Sequence, residues 1–254
     1  MSRLLTAFGL LLILTGCATI PHLTASDADR VKSGKSVVLF VDNAQQINYL
    51  QDKYYVLAVT QEGSTSLYKG IWDSGKDLSA LHADEFSKLG LKTRSAYELF
   101  SEQDIAHLTQ AEDRPALQQP GGSGPLAALA SAGSAANPGQ AISPELRQAL
   151  LDKGQDYLIW ASWSGYTLHI KTLGFPPDEQ FVLVYRVFDV RNDKLLGGGS
   201  SMYLHRVDLE GQTGKDFLEK NNLAGLRAQV EKHIRERFTA PPNATIGRIL
   251  GLQG

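Results

Sequence analysis

Sulfur is scarce in this sequence. The 254-residue chain has one cysteine and two methionines, so no internal disulfide can staple it and the fold must rest on buried apolar side chains. Charge of one sign is missing as well. With 25 Lys and Arg against 27 Asp and Glu the formal net charge is −2, and no basic stripe offers a nucleic-acid footprint; no nucleic-acid partner is expected. No apolar run is long enough for a membrane span: about 13 residues of helix near the N-terminus reach roughly 20 Å, against ~30 Å of hydrocarbon core. Catalytic signatures are missing too. There is no Gly-x-Ser-x-Gly elbow, and none of the six histidines (His22, His82, His107, His169, His205, His233) has a second His or Cys at metal-ligand spacing. "SGKS" (33–36) has Asp29 where a phosphate loop needs glycine, and a strand pattern follows it. These absences leave no catalytic residue, no metal ligand set and no cofactor to assign.

What is present is most distinctive at the N-terminus. Arg3 gives a short positive region, Leu4 to Leu14 form an apolar core interrupted only by Thr6 and Gly9, and the small residues Thr15 and Gly16 lead to Cys17. That is the order of an export signal. The tetrapeptide Leu14-Thr15-Gly16-Cys17 resembles the bacterial lipobox. The resemblance implies diacylglycerol on the Cys17 sulfur, cleavage just before it, and acylation of the new amine. A thiolate is the nucleophile such chemistry requires, and two or three acyl chains make a stable anchor. Ala18, in place of the aspartate that marks retention in the inner membrane, implies export to the outer membrane, facing the periplasm.

The expected domain plan is a signal peptide at 1–16, a lipidated tether at 17–34, one α/β domain at 35–240 and a C-terminal tail at 241–254. Residues 113–141, rich in Ala, Gly, Ser and Pro, read as a disordered insertion with few large side chains to offset the entropy of ordering. "SVVLFVD" (36–42) and "YYVLAVT" (54–60) have strand length and composition. Asp77 to Leu89 place Leu78, Leu81, Glu85 and Leu89 on one helical side before Gly90, with His82 and Glu85 on a solvated face. Ser101 and Asp104 have capping-box spacing. Ser143 and Pro144 open a helix that Gly154 closes. "DYLIWASWS" (156–164) and "FVLVYRVFDV" (181–190) are the strongest strands, the second apolar on both faces and hence central. The triple glycine of "LLGGGSSMYLHRVD" suggests a bulge. One closing helix is expected from about Gly214 to Phe238. The fold class is α/β: a single layered domain with a mixed central sheet and helices packed on it.

"ISPELRQALLDKGQDYLIWASWSGY" with "FVLVYRVFDVRNDKLLGGGS" resembles a layout found in periplasmic lipoproteins, among them the curli secretion lipoprotein family and the outer-membrane lipoprotein activators of penicillin-binding proteins. The likeness implies a non-catalytic adaptor or an assembly or regulatory factor, with the membrane (through Cys17) and another envelope protein as partners. The paired ten-residue alternating strands of a membrane pore are missing. Long ordered loops often carry binding, so Trp163, Tyr166 and Phe175, around the connection before residue 181, are the candidate partner-binding residues. An envelope hydrolase of cell-wall or polysaccharide material would draw on Asp42, Asp73, His82 and Glu85. A small-ligand pocket would draw on Trp72 and Trp160.

Overall fold

The computed structural model describes residues 22–42, 44–55, 58–110, 142–163, 165–171, 175–239 and 246–252. The lipobox with Cys17 and the 113–141 insertion lie outside them. In chain order the elements are α1 (Ala25–Ser33), β1 (Lys35–Val41), β2 (Gln46–Tyr55), β3 (Ala58–Leu67), α2 (Ser74–Lys88), β4 (Lys92–Ser95), a 3-10 turn (Ala96–Glu98) and α3 (Glu102–Gln110). After residue 141 come α4 (Pro144–Asp152), β5 (Tyr157–Trp163), β6 (Tyr166–Ile170), β7 (Asp178–Asp189), β8 (Lys194–Arg206), α5 (Gly214–Thr239) and α6 (Ile246–Ile249).

The eight strands make one mixed sheet, ordered β3-β2-β6-β7-β5-β1-β4, with β8 on the opposite edge of β7. β5 and β6 pair with the two halves of β7, and β1 and β2 run parallel to β5 and β6. Two neighbouring strand lines are therefore interrupted at one level, at Gly165 (φ +95°) and ahead of Gln46, where Gln45 has φ +43°. Glycine suits position 165 because side-chain-bearing residues rarely adopt its φ of +95°, and a Cβ there would also lie a tight 3.2 Å from Gln46.

Both faces of β1 and β5 are covered, which is why their sequences are apolar without alternation. Val38, Phe40, Ile159 and Ala161 face α1, α2, α5 and α6, while Val37, Leu39, Leu158 and Trp160 face the 3-10 turn, α3 and α4. The expected caps form. The Ser101 hydroxyl accepts from Asp104 N as the Asp104 carboxylate accepts from Ser101 N, and the Ser143 hydroxyl accepts from Leu146 N. Gly90 and Gly154 end α2 and α4 with φ of +89° and +66°. The bulge falls one residue before the glycines: Val187 pairs with Gly197 but Phe188 with Leu195, leaving Leu196 extra in β8.

Four expectations need correction. Much of the supposed tether is α1, capped by Thr24, with Leu23, Ala28 and Val31 in the core; a nine-residue helix with few apolar positions shows too weak a period to stand out. The C-terminal tail likewise contributes Ile246, Leu250 and Leu252 to the core. "YYVLAVT" is not one strand but the end of the β2–β3 hairpin, whose ladder closes at Tyr55↔Ala58. α5 is two helical pieces, since Lys220 is extended and Asn221, Asn222 and Leu223 take left-handed φ of 49°, 56° and 68°. Asparagine tolerates that region better than most residues.

Candidate functional site

Asp42 directly follows β1, and beyond the strand's carboxyl end lies a cleft of about 490 Å³ whose walls include Asp42, Trp72, Asp73, Tyr97 and Glu102. Clefts at the carboxyl ends of parallel strands are the usual ligand sites of α/β sheets. Here each carboxylate is already engaged. Asp42, 8 % exposed, accepts from Gln45 N at 2.8 Å, the Ser74 hydroxyl at 2.5 Å and the Tyr68 hydroxyl. These bonds tie the interruption after β1 to the end of β3 and the start of α2, and burial together with the Asp42 charge pushes the Tyr68 hydroxyl far above its ordinary pKa. Asp73 caps α2 by accepting from Lys76 N at 3.0 Å. Glu102 accepts from Lys76 Nζ at 2.9 Å. Burial, then the charges of Asp73 and Glu102, push Tyr97 up to about 12. The carboxylates of the cleft thus do structural work in capping and cross-linking.

The other two acid–base candidates sit elsewhere, on α2. His82 is fully buried and Glu85 3 % exposed, so the expected solvated face is an interior one, packed against β7 and α5. His82 Nδ1 donates to Leu78 O at 2.7 Å and Nε2 accepts from the Tyr185 hydroxyl at 2.9 Å. Glu85 takes Arg235 of α5 at 2.5 Å and Lys88 at 2.8 Å. Burial depresses the His82 pKa to about 4 from 6.5, although Leu78 O and Glu85 act in the opposite sense. The unfolded chain therefore takes up this proton first. The stability that neutral His82 confers is complete above pH 6.5 and is lost as pH falls toward 4, a span worth about 3 kcal/mol at ~1.4 kcal/mol per unit. The stability difference between the parent and His82→Gln, from urea unfolding at pH 7 and at pH 4.5, should shrink by roughly that amount; a difference independent of pH would show that folding leaves the His82 pKa unshifted.

The tryptophans do not share a pocket. Trp72 lines the cleft and donates to Asp77 at 2.8 Å, whereas Trp160 belongs to the core beneath α4. The three proposed partner-binding residues are separated too. Trp163 is 5 % and Tyr166 0 % exposed, while Phe175 is 63 % exposed. Trp163 meets Phe40, Trp72 and Phe181 edge-on at 5.8–6.2 Å. Tyr166 stacks on Phe181 at 5.9 Å and donates to the buried Glu179. The supposed long loop contains strand β6, so Tyr166 turns inward with the strand's two-residue period, and Trp163, the last residue of β5, does so likewise, while Phe175 stays outside.

The surface feature that the sequence left unmarked is the β2–β3 hairpin. Tyr54, Tyr55 and Val59 at its end are 56 %, 55 % and 57 % exposed. β3 pairs with β2 alone among the described strands. Its register is continuous over ten residue pairs, and its sequence AVTQEGSTSL contains no proline or lysine. Natural edge strands are usually blunted by such residues or by bulges. The period-2 alternation and apolar residues across 46–67 could have signalled the hairpin, but polar side chains on both faces of β3 hide it.

No protein-family model and no curated protein sequence matches the chain. Among solved structures, the chain is similar to a hypothetical protein from Chlamydia trachomatis at 14 % identity, covering 82 % of this chain and 99 % of that one, with a TM-score of 0.39. A PelC dodecamer from Paraburkholderia phytofirmans is similar at 10 % identity over 74 % of this chain and 79 % of that one, TM-score 0.33. A lipoprotein from Neisseria meningitidis is similar at 12 % identity over 79 % of this chain and 97 % of that one, TM-score 0.32.

Proposed function

We propose that the chain is a lipoprotein of the bacterial outer membrane, held through acylated Cys17 and facing the periplasm, that acts as a non-catalytic adaptor for another envelope protein. The lipobox motif supports the anchor. The open β3 edge with its apolar end supports the adaptor role, and it replaces Trp163 and Tyr166 as the docking surface. An extended partner segment can add to such an edge by main-chain hydrogen bonds, with Tyr54, Tyr55 and Val59 supplying apolar contact. Lipid anchoring raises the effective concentration at the bilayer, so modest contacts suffice.

The test is photo-cross-linking in cells from Gln61, which is exposed on β3. A discrete envelope-protein adduct is expected from the parent. It should be lost in the Tyr54→Ser/Tyr55→Ser/Val59→Ser variant, whose melting temperature should stay within a few degrees of the parent because these side chains are more than half exposed. An adduct of equal yield from the variant would remove the hairpin as docking surface. Absence of labelled palmitate from the parent, with Cys17→Ser fractionating as before, would remove the anchor.

A further inference from the structure

The sheet register brings together two histidines that lie 28 positions apart in sequence. Glu179 of β7 and His205 of β8 are directly paired, so their side chains stand side by side on the face that α5 covers. On α5, His233 and Glu236 are three residues apart and share one side of the helix. The rings of His205 and His233 stack with centroids 4.3 Å apart and planes 21° from parallel. His233 Nδ1 lies 3.0 Å from Glu236 Oε2, while its Nε2 meets Glu179 Oε1. Glu179 is wholly buried, and its second oxygen accepts from the Tyr166 hydroxyl.

We propose that His205, His233 and Glu236 form a binding site for a zinc-class divalent cation, with Glu179 as the positioning residue behind His233. The cation is held by His233 Nδ1, a ring nitrogen of His205 and the Glu236 carboxylate. Two imidazoles and one carboxylate are a donor set of zinc and its neighbours. The three ligand atoms already lie within 4.8 Å of one another. Tetrahedral zinc with bonds near 2.0–2.1 Å needs them about 3.3 Å apart, a spacing the His233–Glu236 pair nearly has. His205, only partly buried, and Glu236, with a side chain 50 % exposed, are free to close the rest, whereas His233 is held. Its Nε2 abuts the carboxylate of buried Glu179, which in turn accepts from the Tyr166 phenol, and a carboxylate placed behind a histidine in this way orients metal ligands in metalloproteins. That placement puts a fully buried Glu179 to use, a charge whose burial costs unless it is paired and hydrogen-bonded as it is here. The exposed side of Glu236 leaves the fourth position to water. A bound ion ties α5 to the β7–β8 edge. The site is independent of the hairpin and of the lipid.

The full chain, purified in detergent, is titrated with zinc chloride by calorimetry and with cobalt chloride by visible absorption. One equivalent of each is expected, the cobalt giving the intense visible bands of a tetrahedral site, and zinc should raise the melting temperature. His205→Ala and Glu236→Ala should each weaken zinc binding about 100-fold or more, and Glu179→Gln about 10–100-fold. Should Glu179→Gln misfold, His205→Ala, at a partly exposed position, still decides the matter. A parent that takes up no stoichiometric zinc, or an affinity unmoved by His205→Ala, overturns the site.

Discussion

Replacing Trp163 with alanine is expected to cost about 3–5 kcal/mol of stability, the range for emptying a large aromatic site in a packed core. Trp163 is 5 % exposed and is the ring on which three others converge, Phe40 from β1, Trp72 beside the cleft and Phe181 from β7. Those partners come from three segments of the chain, so none can fill the space without moving its own backbone. Of the order of 10 kcal/mol stabilises a typical domain. The loss should appear in urea unfolding as a lower midpoint with an unchanged slope, and Phe175→Ala, at an exposed position, should lie within about 0.5 kcal/mol of the parent. A Trp163→Ala protein as stable as its parent would mean that the ring is not packed in this core. The pairing of variants also separates binding from folding: lost partner capture in Trp163→Ala would report a damaged fold.

Gly225→Ala should be almost as damaging, and with a sign opposite to helix propensity. In an ordinary exposed helix the change gains up to about 1 kcal/mol. Here a Cβ on Gly225 would stand 1.8 Å from Phe217 O and 2.9 Å from its carbonyl carbon. These are backbone atoms with no rotamer to change. The left-handed stretch Asn221–Leu223 turns the first piece of α5 back so that it rests against the second at this glycine. An added methyl must push the pieces apart, at the upper end of the roughly 1–3 kcal/mol that overpacking costs, and should release Phe217 and Leu218, both now buried. Faster amide hydrogen exchange over residues 214–219, with the 226–238 piece still protected, is the expected pattern; stabilisation by Gly225→Ala would show α5 to be one unbroken helix.

Local chemistry was readable wherever one residue type decides one geometry. Ser143 with Pro144, Ser101 with Asp104, and Gly90 and Gly154 placed four helix ends because caps and left-handed turns depend on near neighbours. β7 was legible as a central strand because burial on both faces removes alternation. The α/β class followed from the order of these segments. What failed depended on distant partners. Nothing within Gln46–Leu67 says that β2 lies beside β6, 119 residues away, and Trp163 and Tyr166 looked like a sticky tip because the pairings that turn them inward, of β5 with β7 and of β6 with β2 and β7, are non-local. His82 and Glu85 had a helical spacing that suits water as well as Tyr185 and Arg235. The His205–His233 pair was invisible for the same reason, since β8 and α5 meet only in the fold.

The burial of Leu23 at the head of α1 would set the length of the mooring in the proposed lipoprotein. Were Cys17 acylated, five residues would separate the lipidated position from a side chain that is 6 % exposed. Fully drawn out, the Cys17–Leu23 stretch spans about 20 Å. Under the proposed anchor the globule would ride close above the lipid headgroups with the corner formed by Leu23 and its neighbour Gly251 turned toward them, and the end of the β2–β3 hairpin beyond its pairing with β6 would supply reach. A partner embedded in the same leaflet would then be met at nearly fixed height, and, if the proposed anchor holds, lengthening the 18–22 stretch with flexible residues should loosen that alignment before it weakens membrane attachment.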